Sequence, residues 1–432
     1  MGEQRQLGVF GRFFWRRSKT FRDYIRVLKF PHLYLRRKPN MQLDWISRTS
    51  TRTFASTAMG LLFASAFCVS GVVTSPVMAE EAAAKDTRTA GQRIDQMVDR
   101  GIEFLRTRGQ SDEGAFSGET GAAVTGLCVR AILEHRPEAV STDPVIAKAI
   151  KYLESKVQPD GGIYATGSKH RNYETTTAAM ALNKANQDGR FDSQLERAKN
   201  FLKDIQWDEE EGAKPGDTAY GGAGYGSHSR PDLSNTAFLI EALHDLGTDP
   251  QDESIQKALM FVSRTQNLTQ HGNDTQHADK IGDGGFYYTP AAGGQSKAGE
   301  SADGGLRSYG SMTYAGLKSM IYAGLTPEDP RVNAALDFIR NHYTLDNNPG
   351  MGAQGQYYYY HTFAKALDVA GLEVVESTDA GPRDWRTDLI NKLEAEQQED
   401  GSWVNREAER WMEGDRQLVT AYCLLALKHA RK

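Results

Sequence analysis

Acids, histidines and tyrosines that could do chemistry are spread along this 432-residue chain and form no single motif. Asp232, Asp283 and Asp303 stand at glycine-rich turns or at a helix start, where a carboxyl could give up a proton or hold a cation. His361 lies in Tyr360-His361-Thr362, and His228 ends the glycine-rich run 221–228. That run lacks the Lys-Ser/Thr pair of a phosphate loop. Tyr220, Tyr225, Tyr309 and Tyr314, the tyrosine run 357–360 and Trp411 could together wall a pocket. Aromatic faces attract cations and also grip sugars or peptides. Successive helical residues point in different directions, so part of the run, here Tyr357 and Tyr360, is expected to face inward. Asp274, Asp279, Asp283 and Asp303 offer oxygen ligands, but their spacing matches no calcium loop. No metal and no cofactor is implied.

Something must bring these residues together, and the candidate is a repeat. Amphipathic helices with apolar residues on one face recur at Ile146/Ala149/Ile150/Leu153, Ile255/Ala258/Leu259/Val262 and Val332/Ala335/Leu336/Ile339. Weaker copies begin near Val98, Leu195 and Arg386. Each is followed by a Gly/Asp-rich loop and a second helix. In the second helices Thr125, Thr175, Thr236, Thr313, Tyr360 and Thr420 each precede a small residue by six positions (Ala131, Ala181, Ala242, Ser319, Ala366, Ala426). A large apolar residue follows each time. The second helices are apolar on more of their circumference than the first, which marks them as buried. The pattern predicts an all-α fold of six helix pairs, with the second helices as an inner ring and the first as an outer ring.

Leu393-x3-Gln397-x3-Gly401-x-Trp403, with looser versions at 110–116 and 158–163, resembles the repeat of the prenyltransferase and squalene-cyclase family. The resemblance spans about residues 93–432 and implies an α/α toroid whose cavity opens near the inner-helix starts. Two functional motifs of that family can be laid on this chain. Protonating terpene cyclases carry D-x-D-D-T-A, with the middle Asp as the acid. The matching stretch is Asp232-Leu233-Ser234-Asn235-Thr236-Ala237, where the acid position is a serine. Protein prenyltransferases hold zinc with D-x-C and the His of Y-H-T. His361 matches the second part, but Tyr309-Gly310-Ser311 stands in place of the first. One His does not make a zinc site. His361 is then expected to be a hydrogen-bonded residue at the start of its helix. In a closed ring repeats one and six are neighbours, so Cys128 and Cys423, at equivalent positions, are expected to be able to form a disulfide. The insertion 267–308 could cover the cavity.

The 51 Lys+Arg and 56 Asp+Glu sum to −5, but the charge is uneven. Residues 1–53 form a basic region carrying +10, with Met41 as a second potential start. Residues 54–79 are uncharged and end Val77-Met78-Ala79, a pattern that reads as a signal peptide or an uncleaved anchor. Residues 80–92 read as a linker and 93–432 as the repeat domain. Beyond Ala79 the chain carries −15, which disfavours nucleic acid as a partner and leaves the N-terminal segment as the expected membrane contact. The expectation is an exported, periplasmic or extracellular protein. It would bind an apolar or isoprenoid-like molecule, or a partner's segment, without zinc or D-x-D-D chemistry. The alternatives are an isoprenoid cyclase or transferase with relocated acids (Asp232, Asp283, Asp303), and a carbohydrate lyase or hydrolase.

Overall fold

The computed structural model describes residues 87–226 and 229–431. The basic region, the signal or anchor segment, Met41 and His228 lie outside the described residues. In chain order the helices are α1 (Ala90–Phe104), α2 (Ala123–His135), a single turn α3 (Ala139–Thr142), α4 (Pro144–Glu154), α5 (Arg171–Ala185), α6 (Asp192–Asp204) and α7 (Leu233–Asp245). Then come α8 (Glu253–Arg264), α9 (Gly310–Tyr322), α10 (Pro330–Asn341), α11 (Gln356–Val369), α12 (Trp385–Glu396) and α13 (Arg416–Ala430). A short hairpin of β1 (Val375–Ser377) and β2 (Gly381–Arg383), with Val375 opposite Arg383, is inserted in this otherwise helical fold. None of the described helices is long and apolar enough to cross a membrane.

Of the outer helices α1, α4, α6, α8, α10 and α12, all but α6 begin where the sequence offers a side-chain cap. Asp143, Asp252, Asp329 and Asp384 accept backbone N–H groups of the first turn. Thr89 and Gln92 form a reciprocal capping box, so helical order starts at Ala90, inside the stretch read as linker. The inner helices α2, α5, α7, α9, α11 and α13 pack side by side in that order, and α13 packs on α2. The inner ring therefore closes, giving the six-pair α/α toroid.

The repeated threonines have a shared task. Thr125, Thr175, Thr236, Thr313 and Thr420 accept, at Oγ1, the backbone N–H of Phe116, Ile163, Ala223, Phe286 and Trp403, at 2.9–3.2 Å. Each one ties the preceding loop to its inner helix and satisfies a buried donor. In the fifth copy the Tyr360 hydroxyl reaches the Leu345 carbonyl at 2.7 Å instead.

Glutamines link one repeat to the next. The side-chain amide of Gln110 donates to Gly114 O and Val145 O, that of Gln206 to Gly221 O and Ser254 O, and that of Gln266 to Gly284 O and Arg331 O. Gln397 donates to Gly401 O and Met97 O, and so joins the last repeat to the first. The loop glycines must be glycine. Gly401 has φ +89° and a Cβ there would sit 2.3 Å from Arg100 O. The Gly/Asp loops are thus architectural. Asp283 takes part in the same way, accepting from Gly285 N and Ser308 Oγ.

Cys128 and Cys423 are free thiols, against the expected disulfide. Equivalent positions on a closed ring look the same way round it. Cys128 on α2 faces α13, with Sγ 3.7 Å from Gln417 O. Cys423 on α13 lies beside Tyr357 of α11. The two therefore never face each other.

The insertion 267–308 is packed rather than a free flap. It folds back at Gln266–Phe286, Thr289–Gln295 and Glu300–Leu306, and buries Phe286, Tyr287 and Thr289. Asp274 is engaged by Arg264 at 2.8 Å, and no group of three metal-ligating side chains occurs among the described residues.

Candidate functional site

The inner helices bring their N-terminal turns together at one mouth of the ring, around a cavity of about 370 Å³. Every inner helix contributes the residue two positions before its aligned Thr or Tyr: Ala123, Tyr173, Ser234, Ser311, Tyr358 and Leu418. One turn deeper, Phe238 and Tyr422 complete the wall, while Tyr225, Tyr288, Tyr309, Trp411 and Met412 close it from the loops.

The wall is a belt of aromatic rings. Tyr173 meets Phe238 edge-on at 5.1 Å, Phe238 stacks near Tyr358 at 6.3 Å, and Tyr358 lies 5.9 Å from Tyr422. Hydroxyls pair within the belt: Tyr173 with Tyr422 at 3.1 Å, and Ser234 with Tyr358 at 3.0 Å. Burial pushes the Tyr225 hydroxyl up to about 12 and those of Tyr358, Tyr288 and Tyr309 further, so these tyrosines are neutral. Trp411 and Met412 have left-handed backbones (φ 57° and 65°) and, with Tyr225, are exposed apolar residues at the mouth.

Several expected residues are elsewhere. Tyr225, Tyr309 and Trp411 do line the cavity. Asp232 is buried behind the wall as the N-cap of α7, accepting from Asn235 N and Nδ2 at 2.9 Å and from the Tyr288 hydroxyl. Burial raises its carboxyl in spite of these donors. Tyr220 points to the outer loops, its hydroxyl on Glu209. Tyr314 packs between α9 and α11 against Tyr359 and Phe363. Of the tyrosine run only Tyr358 lines the cavity. The 100° step of the helix turns Tyr357 toward Val404 O and Tyr360 toward Leu345 O. Asp283 is a turn residue, and Asp303 is an exposed one bonded to Ser301. His361 lies below the wall, stacked on Tyr422 at 5.6 Å, and its Nδ1 has no hydrogen-bond partner, contrary to the expected hydrogen-bonded helix start. Burial and the neighbouring Lys318, Lys365 and Arg130 push its imidazole well below the usual range, against the pull of Glu241.

The positions that zinc would need are Tyr309, Ser311 and His361. The first two are neutral hydroxyls, so this donor set does not fit the ion.

Two features are absent from the sequence reading. Glu413, in the turn before α13, lines the cavity. Its Oε1 accepts from Tyr357 N at 2.9 Å and Tyr358 N at 2.8 Å, and its Oε2 from Asn405 Nδ2 at 2.7 Å. Burial outweighs these donors and pushes the carboxyl up to about 7. Deeper in the ring, the buried Glu241 of α7 binds Arg130 of α2 at 2.7 Å, as well as Lys318 of α9 and Lys365 of α11. Burial favours its acid form, but the cations outweigh burial and hold it ionised.

Comparison with curated proteins gives no match. Among solved structures, an apo type II terpene cyclase from Scytonema aligns at 12% identity and TM-score 0.47, over 79% of this chain and 98% of that one. A family 76 glycoside hydrolase from a bovine Bacteroides thetaiotaomicron strain aligns at 12% and 0.49, over 79% and 78%. A possible member of the GH105 family from Salmonella enterica aligns at 12% and 0.47, over 84% and 98%. Residues 95–289 match the family model of the squalene-hopene cyclase C-terminal domain, and with its six helix pairs the chain fits a prenyltransferase/squalene-cyclase-like α/α-toroid family.

Proposed function

We propose that this toroid binds an apolar or isoprenoid-like ligand, or an apolar segment of a partner, in the cavity at its mouth, without zinc or D-x-D-D chemistry. The observation that carries the reading is the continuous aromatic belt of Tyr173, Phe238, Tyr358 and Tyr422. A cavity of about 370 Å³ is at the small end of ligand pockets. The position of the cyclase acid is taken by Ser234, whose hydroxyl is occupied by Tyr358. A hydroxyl is far too weak an acid to protonate an alkene. Export belongs to the same proposal and rests on the basic, apolar and small-residue succession before Glu80. Extraction of the purified protein should release a hydrophobic compound detectable by mass spectrometry. Conversion of squalene or a polyprenyl diphosphate would overturn the non-catalytic part of the reading.

A second reading, an isoprenoid cyclase or transferase with a relocated acid, is favoured by Glu413. Its carboxyl, pushed up to about 7, is substantially protonated near neutral pH beside an aromatic wall. A product formed by the wild type and lost in Glu413→Gln would decide for it.

A further inference from the structure

Beneath the aromatic wall the ring holds more positive charge than its carboxylates answer. Arg130 of α2, Glu241 of α7, Lys318 of α9 and Lys365 of α11 are all buried there. The equivalent place on α5 and α13 is taken by Met180 and Leu425, which bring no charge. Glu241 serves all three cations: Oε1 accepts from Arg130 at 2.7 Å and from Lys365, and Oε2 accepts from Lys318. Asp245, half-buried, takes Arg130 at 2.9 Å. Glu134 lies 4.0 Å from Arg130 but is shared with Lys184 and Lys428. Asp368 is taken by Arg386 and His429. Three interior cations thus face Glu241 and Asp245, and one positive charge is left over.

The surplus lies on the α9–α11 side, because Arg130 has Asp245 as well. Among the described residues Lys318 and Lys365 have the one carboxylate of Glu241 as their acceptor. An ammonium carries three N–H donors, so most of theirs are unspent. The nearest ring faces, Phe238 at 5.8 Å from Lys318 and Tyr322 at 5.9 Å from Lys365, supply no acceptor. Burial and Arg130 push the Lys365 ammonium below its ordinary range in spite of Glu241 and Asp245. His361 adds an independent sign. It is 2% exposed, it feels Glu241, Lys318, Lys365 and Arg130, and its Nδ1 has no hydrogen-bond partner. A neutral imidazole can carry its proton on that nitrogen and donate it. Unanswered donors and unpaired positive charge in a dry interior are costly, and a bound anion removes both costs.

We propose that Lys318, Lys365 and the Nδ1 of His361 bind a small monovalent anion of the chloride class inside the ring, between α9 and α11. A single negative charge matches the single positive charge left over. The site lies directly under the aromatic cavity, since the wall residues Phe238 and Tyr422 stand next to Lys318 and His361. It does not depend on the ligand reading above. The anion joins α9 to α11, as Glu241 joins α7 to both.

The test follows thermal unfolding of the full chain while sodium gluconate is replaced by sodium chloride at constant ionic strength. Gluconate is too bulky for a dry interior and controls for screening. Tm should rise with chloride, approaching about 2 °C for each tenfold increase once the site is mostly filled. The response should vanish in Lys318→Met and in Lys365→Met, each of which removes the surplus charge and keeps an unbranched side chain. Crystals soaked in sodium bromide should show an anomalous peak within hydrogen-bond reach of Lys318 Nζ and Lys365 Nζ. That map decides the matter if neither variant folds. Equal Tm in the two salts, a chloride response that persists in either variant, or bromide confined to the protein surface would overturn the assignment.

Discussion

Glu413 is a carboxyl under opposing forces. Three N–H donors favour its anion and burial favours its acid, and burial prevails. A folded-state value of about 7, against 4.5 for a free Glu, means that the folded protein binds the extra proton between those limits. Its contribution to stability is therefore full below about pH 4.5 and is lost as pH rises toward 7. Urea unfolding of the wild type relative to Glu413→Gln should show this loss, on the order of 3 kcal/mol. A flat difference across that range would contradict the burial argument. At the mouth, Trp411→Ala should weaken binding of an isoprenoid alcohol about tenfold with little change in Tm, because Trp411 is exposed on the lip. Several site residues were within reach of the sequence. The position two before each aligned Thr or Tyr lines the cavity in all six copies, so the repeat register already contained Tyr173 and Tyr358. Selecting tyrosines by proximity in sequence led instead to Tyr314, Tyr357 and Tyr360, which belong to helix–helix and helix–loop contacts. Glu413 carried no such signal, because its burial is created by α11 closing over it.

The elements were legible because each is set by local chemistry. Apolar stripes defined the outer helices, and an Asp cap or a Thr-x-x-Gln box begins all of them but α6. The threonine register marks a hydrogen bond that every inner helix but one repeats. The loop glycines fit tightly against the next outer helix, and Gly401 makes that contact between the last repeat and the first. Gly401→Ala would place a methyl 2.3 Å from Arg100 O on a backbone with φ +89°. It should cost at least about 2 kcal/mol in chemical denaturation. An unchanged midpoint would mean that this junction does not help to hold the ring closed.

At the scale of the whole molecule, closure and the buried charges depend on each other. Arg130, Glu241, Lys318 and Lys365 come from four inner helices that meet inside the ring. They stand on four different helices far apart in the sequence, so the sequence could not show that they converge. Glu241→Gln would leave buried cations uncompensated and should destabilise the protein by about 3–5 kcal/mol. A change below 1 kcal/mol would show that the cluster is solvated. The claim on which the functional account turns is that an apolar ligand occupies the aromatic mouth of the toroid. Photo-crosslinking with a benzophenone-bearing isoprenoid alcohol, followed by peptide mapping, addresses it directly. The account predicts labels competed by farnesol and confined to the inner-helix starts and mouth loops, around Tyr225–Phe238, Ser311–Met312, Tyr358 and Trp411–Tyr422. Labels absent from these peptides, or spread over the outer helices, would contradict it.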